Sequence, residues 1–490
     1  MTSNLEPLVQ QLHGEFQNLL AYVTGPEAGS QTVSTVERTV FRRLLAWGAV
    51  LLRLFCVTRA AVRPAEPVTA PDGTRLTSHD QRPTTDDAVF GKGRFARHYF
   101  TAPGQAGCCP LAAELSWPAR CYADLRREWA VYGATDASYR ESQTVLERLL
   151  GLSRSLQASE SAALEAGGEV TIFDDPPAEP TAPSPAATIL VVQAEGQGVP
   201  MVQPATPKPS VRLAKGQKRT TKTEAGVTRL STIRPSERTP HEVVDALLRT
   251  ADRPAPAARP QPVGKELRAT LEGKAAAMNR LAPRVAQRDG PHIQPHVALT
   301  AGAEARHQPV VTYVPQYTVS LDIMPATASL WDTANALLGE THPPRLVWVH
   351  AYLEPLLAGQ TDAVINALAA EGHDPTHTGL QRQAVRRTVG DYRRHRPYMR
   401  DNEDLARGWP IGTGVVEGAC GHLVKDRLEP SGMRWTHAGA PGVLDLRAVR
   451  LNGHWEAYWP CHRHQQHQRL YGVSILAPVS AEARALEWAA

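Results

Sequence analysis

Glu417 stands in the stretch PIGTGVVEGACGHLVKDRLEPSGMRW, residues 410–435, where one acid sits among glycines. Pro410, Gly412 and Gly414 end the preceding element and Thr413 can cap a new helix, while Val416, Ala419, Cys420, Leu423 and Val424 recur at helical spacing. The spacing predicts a short, buried helix with Glu417 in its first turn. Gly418 and Gly421 leave room beside that acid for another chain or a ligand. A glutamate here either serves the helix dipole or works on a group that approaches it. Two further acids end apolar runs: Glu195 comes after Ile189–Val192, and Asp322 lies three residues after Val319. Basic residues cluster in three places. Lys215, Lys218 and Arg219 lie in TPKPSVRLAKGQKRTTKTE; Arg386, Arg387, Arg393, Arg394, Arg396 and Arg400 lie in a predicted helix; Lys425, Arg427 and Arg434 accompany Glu417. Cations spaced three and four apart on a helix share a face, and such groups contact phosphates without reading sequence.

Composition narrows the setting. The 490 residues suffice for two or three domains. With 53 Lys and Arg against 49 Asp and Glu the net charge is only +4, so the local clusters must carry any case for nucleic acid. The 6 cysteines include no CxxC pair and offer neither a disulfide framework nor a closed zinc site, which suits a reducing cytoplasm. His462, His464 and His467 do not pair with cysteines in a zinc pattern either. The apolar run LLAWGAVLLRLFCV, 44–57, is interrupted by Arg53 and is too short to span a bilayer. It reads as a buried helix, and its place in the chain does not suit a signal peptide.

The elements that must position these groups are laid out along the whole chain. Helical patterns cover 5–23 and 35–60, an extended loop 63–90, then a strand in GRFARHYFTAPG that could belong to a hairpin. Two helices between Pro118 and Leu156, broken near Gly133 with Thr135 and Asp136 as caps, have the size of a helix-turn-helix unit. The Pro-rich segment 166–187 reads as a linker. After it, TILVVQAEGQGVPMV predicts a buried first strand of an α/β sheet with Glu195 at its end. Strands are expected in VTRLSTI, PHVALTAGAEA and QPVVTYVPQYTVSLDI, and helices in HEVVDALLRT and KELRATLEGKAAAMNRLAPRVAQR. From Ala326 to Tyr398 the pattern is almost wholly helical, and CHRHQQHQRL predicts a basic tail helix.

The run GTGVVEGACGHLVKDRLEPSGMRW resembles the C-terminal signature of bacterial insertion-sequence transposases of the ISKra type. ERTVFRRLLAWGAVLLRLF, PLAAELSWPARCYADL, the GVPM turn, LWDTANALLGETHP and the block ending LRAVRLNGHW look like the same family, so the likeness covers most of residues 35–470. The resemblance implies an α/β chain of large helical content. Its RNase H-like mixed sheet would be interrupted by a helical insertion and preceded by a mainly helical N-terminal region. The corresponding division is 1–165 for recognition of DNA ends, 166–187 linker, 188–325 first part of the core, 326–408 insertion, 409–475 Glu-bearing and C-terminal helices, and 476–490 tail. It further implies three carboxylates holding two Mg²⁺ ions for in-line displacement at phosphorus, with Glu195 and Glu417 among the metal ligands. The implied partner is double-stranded DNA bearing terminal inverted repeats, met by a homo-oligomer in the cytoplasm at the nucleoid.

The sequence departs from that pattern at the acids themselves. The family's first aspartate falls on Glu195, with Gln197 in place of a lysine; the second falls on Ala301 in LTAGAE; a histidine and a glutamate fall on Pro325 and Ala328. A longer acid displaces its oxygens by about 1 Å, which can cost on the order of 100-fold in rate. A methyl group cannot bind metal. Asp322 or Glu304 could supply the missing ligand in a working strand-transfer enzyme. Otherwise the chain is a decayed copy that binds DNA without cutting it, and a metal-dependent nuclease on the same fold is a third reading.

Overall fold

The computed structural model describes residues 5–62, 68, 74–104, 107–118, 122–173, 188–202, 222–249, 260–300, 312–313, 315–412, 414–430 and 432–472, with only the backbone of 415–417. Lys215, Lys218, Arg219, Ala301 and Glu304 lie outside them. The chain divides into two compact units, one of residues 1–174 with 453–490 and one of residues 175–452.

The first unit opens with helices Glu6–Thr24 and Val33–Ala61, the second started by Thr32, whose side chain accepts the Thr35 amide. Val33–Ala61 is longer than the apolar run suggests and, by length and composition, passes for a membrane-crossing helix. It is not the buried helix expected: only Gly48, Cys56 and Ala60 along it are buried. Residues expected as loop form β1 (Ser78–Ala88), which pairs along its whole length with β2 (Gly91–Thr101) through a tight turn at Val89 and Phe90. The polar sequence of β1 hid this strand, because six of its residues face solvent and its ladder alone holds it. Helix Asp124–Asp136 runs through Gly133 unbroken. The break falls at Ala137, and Ser138 with Glu141 forms the capping box of Tyr139–Leu150, which Gly151 ends in the left-handed conformation, φ 69°. Thr135 instead donates to the Tyr132 carbonyl within its own helix. Part of the expected linker is ordered as well, since helix Leu156–Gly167 and the turn Val170–Phe173 bury Ala166 and Val170.

The tail helix Trp455–Tyr471 belongs to this first unit rather than to the Glu417 region. Trp455 and Trp459 donate to Glu128 and Asp124, both at 3.1 Å, and buried His462 bonds Glu169 at 2.6 Å. The segment that reads as a basic tail is therefore a core helix, with burial pushing the Glu128 carboxyl up to about 7.

The second unit is α/β, a five-stranded mixed sheet with helices. β3 (Ile189–Pro200), β4 (Lys222–Ile233), β5 (Val263–Thr270), β6 (His296–Thr300) and β7 (Thr318–Leu321) lie in the order β5-β4-β3-β6-β7. β4 runs antiparallel to both of its neighbours, β3 and β5, while β6 runs parallel to β3 and β7 parallel to β6. Leu190 and Val192 face helix Lys274–Arg288 through Leu281 and Val285; Ile189, Val191, Val297 and Leu299 meet Trp409 on the other side. A continuous apolar run is what a strand covered on both faces requires. KELRAT forms β5, not the start of a helix. Pairing with β4 overrides its helical propensity, and Gly273, at φ 95°, turns the chain into the next helix. Beyond β7 come helices Ile323–Leu338, Pro344–Leu357, Thr361–Glu371 and Gly379–His395, whose core includes Leu330, Val349, Leu353, Leu368 and Val385.

Candidate functional site

β6 and β7 end level with one another, beside the middle of β3. Ala194 pairs with Thr300 and Thr300 with Leu321, so Glu195 on β3 and Asp322 after β7 each come one residue beyond the same row. The Asp322 amide donates to the Thr300 carbonyl at 3.0 Å and holds that row. Ile323 in turn donates to the Ile411 carbonyl at 3.0 Å, which ties the segment leading to Glu417 onto the end of β7. Helix Gly414–Ala419, with Glu417 on its backbone, packs against β3 and β4. The residues beyond β3 are fixed too: Trp435 donates to the Pro200 carbonyl at 3.0 Å and accepts from the Val202 amide at 2.8 Å. The Glu417 helix therefore lies against the two central strands β3 and β4, and the segment leading into it is tied to the end of edge strand β7.

Side chains around Glu195 are strongly polar for the interior of a sheet. Gln193 and Glu195 share one face of β3 by strand alternation, and Arg229, opposite Gln193 on β4, donates to its Oε1 at 3.1 Å. Burial pulls the Arg229 guanidinium down to about 10. Gln197 donates to Glu429 at 3.0 Å, and Lys222 pairs with the same carboxylate. Glu224 packs over Gly196 and lies 3.6 Å from Lys274. The available signal for Arg229 was a lone arginine inside the apolar run VTRLSTI, which sequence reasoning passes over.

Asp322 is fully buried, and its Oδ1 accepts the Met324 amide at 2.9 Å, capping helix Ile323–Leu338. A side chain at Gly412 would begin 3.8 Å from that oxygen. Two further acids, Asp401 and Asp404, are buried close by, and Asp404 accepts the Ser320 hydroxyl. Burial pushes the Asp401 carboxyl up to about 7, helped by the charges of Asp404 and Asp322. Asp404 is raised by its own burial, against the Ser320 hydrogen bond and Arg400.

Of the predicted apolar stripe, Ala419, Cys420, Leu423 and Val424 are buried, and the Val416 side chain lies outside what is described. Cys420–Lys425 widens to a π-helix, a form found mostly as single turns and often near functional sites. Among the basic candidates, Arg386, Arg393, Lys425 and Arg434 are exposed. Arg427 is a correction. It is 1% exposed, with its guanidinium 4.7 Å from the Trp435 ring centre, so it packs the core and presents no cation to a phosphate.

The donors do not fit the two-Mg²⁺ centre that the resemblance implies. Sequence position 301, onto which the second acid of the resemblance falls, is alanine and has no donor atom, and the Asp322 carboxylate is engaged as a helix cap. Paired Mg²⁺ ions sit only about 3.5–4 Å apart and need carboxylates that reach both.

No protein-family profile matches the chain, and no curated protein matches it. Among solved structures it is similar to one described as the Drosophila P element transposase strand transfer complex, at 6% identity and a TM-score of 0.29 over 68% of this chain and 92% of that one. A score of that size carries no argument about activity.

Proposed function

We propose that this chain is a DNA-binding protein built on the body of an insertion-sequence transposase of the ISKra type, with its strand-cleaving centre impaired. The observation that carries the reading is the pairing of Ala194, Thr300 and Leu321 across β3, β6 and β7, which sets Glu195 and Asp322 one residue beyond the same row, together with an alanine at sequence position 301. The strand order supports an RNase H-like core: an antiparallel trio, then two parallel strands, a helical insertion, and the Glu417 helix against the central strands. Double-stranded DNA with terminal inverted repeats is the proposed partner. Its backbone would be met by Lys215, Lys218 and Arg219 and by exposed Arg386, Arg393, Lys425 and Arg434. A homo-oligomer on DNA belongs to the same proposal, as does end recognition by helices Asp124–Asp136 and Tyr139–Leu150.

A second reading is favoured by Asp322, the one described carboxylate besides Glu195 set just beyond that row. There an active transposase or nuclease uses Asp322 in place of residue 301. Incubation of the full chain with its element ends and Mg²⁺ separates the two. Salt-sensitive binding without cleavage, and cleavage gained in Ala301→Asp, are expected. Robust cleavage by the unaltered chain, lost in Glu417→Ala and in Asp322→Asn, would replace the first reading with the second.

A further inference from the structure

Helices Pro240–Leu248 and Pro344–Leu357, both in the second unit, pack side by side. Their inner faces join one core through Val243, Val244, Val349, Leu353 and Leu356. Their outer faces carry a different chemistry. His241 and Asp245 lie one turn apart on the first helix, and His350 and Glu354 one turn apart on the second. One donor atom each from His241, Asp245 and His350 lies within 4.8 Å of the others. Glu354 joins them, with one oxygen 3.2 Å from His241 Nδ1 and the other 3.6 Å from His350 Nδ1. His241 Nε2 lies 3.5 Å from Asp245 Oδ2.

We propose that His241, Asp245 and His350 form a site for a single divalent transition-metal ion of the Zn²⁺ class, with Glu354 orienting the two imidazoles. Four points carry this. Two imidazoles and a carboxylate match the donor preference of Zn²⁺ and not that of Mg²⁺. Tetrahedral donors about 2.1 Å from an ion are about 3.4 Å apart, and the three donor atoms already lie within 4.8 Å of one another. The ligands stand on two rigid helices already packed together, so binding does not have to order a loop. A carboxylate against the Nδ1 atoms leaves Nε2 of each ring for the metal, the usual outer-sphere arrangement at zinc. The fourth position is open to water. The ion would clamp the inserted helices to the helix after β4, and the site does not depend on the proposed DNA function.

The test is calorimetric titration of the chelator-treated full chain with Zn²⁺ at neutral pH, with Mg²⁺ as control and thermal unfolding as a second readout. One Zn²⁺ per chain, a raised Tm and no response to Mg²⁺ are expected. His350→Ala, His350→Gln and Asp245→Asn should each weaken binding by more than about tenfold, and Glu354→Gln by about tenfold. The metal-free Tm should be unchanged in at least one of the His350 variants. His464→Ala, on the tail helix, should bind like the parent. Parental affinity in a folded His350 variant, loss of binding in His464→Ala, or no saturation tighter than about 1 mM would each overturn the proposal.

Discussion

The Asp322 amide donates to the Thr300 carbonyl at 3.0 Å, and this bond holds the first residue after β7 against the last residue of β6. Asp322 thereby takes its place in the Glu195 row while its carboxylate serves the next helix. That double role separates its contribution to folding from any contribution to chemistry.

Asp322→Ala removes a helix cap and should cost about 1–2 kcal/mol, measured by urea unfolding. Asp322→Asn keeps a capping oxygen and should lose at most half of that. Equal losses in the two variants would mean that the negative charge, rather than the cap, does the stabilising.

The raised Asp401 carboxyl makes stability pH-dependent. Its folded pKa, about 7, lies above the ordinary value of 3.8, so the folded state holds the proton longer than the unfolded chain. Its stabilising contribution is complete below the ordinary value, declines as pH climbs through the folded value, and is gone above it. Asp401→Asn should flatten this decline and gain on the order of 2–4 kcal/mol at about pH 8 relative to the parent. Asp86 and Glu128, raised to about 6 and about 7, slope the same way, so the difference between variant and parent is the quantity to follow across pH.

Arg427 and Lys425 should part company although only two residues separate them. Arg427→Ala empties a buried site over Trp435 and should destabilise by about 2–3 kcal/mol. Lys425→Ala, on the exposed side, should stay within about 0.5 kcal/mol in the same denaturation experiment.

Charge neutralisation on the insertion helix tests its proposed contact with DNA. Arg386 and Arg393 lie two turns apart and exposed on one helix. Neutralising each should lower the slope of log affinity against log salt by about 1, uniformly across DNA sequences. An unchanged slope in Arg386→Gln with Arg393→Gln would remove this helix from the interface.

Much of the second unit is legible in local sequence. The four-residue run Ile189–Val192 and the helical periods of the insertion are local patterns that burial and hydrogen bonding demand of any chain with these residues. The glycine-flanked Glu417 helix with its apolar stripe belongs with them, as does the absence of a donor at residue 301. Other elements are not legible, because nothing local distinguishes them. β1 is a polar strand held by its partner, and KELRAT is a helical sequence made strand by β4.

By itself the sequence determined which residues can carry charge, which segments must be buried, and that residue 301 has no ligand atom. Only the tertiary structure decided that Glu195 and Asp322 stand in one row, since the register of three strands is set by backbone pairing between distant segments. It also moved Arg427 from the surface to the core and the tail helix to the first unit. Long side chains and amphipathic helices have more than one place to put their apolar atoms, and packing against Trp435 in one case and Ala166 in the other selects between them.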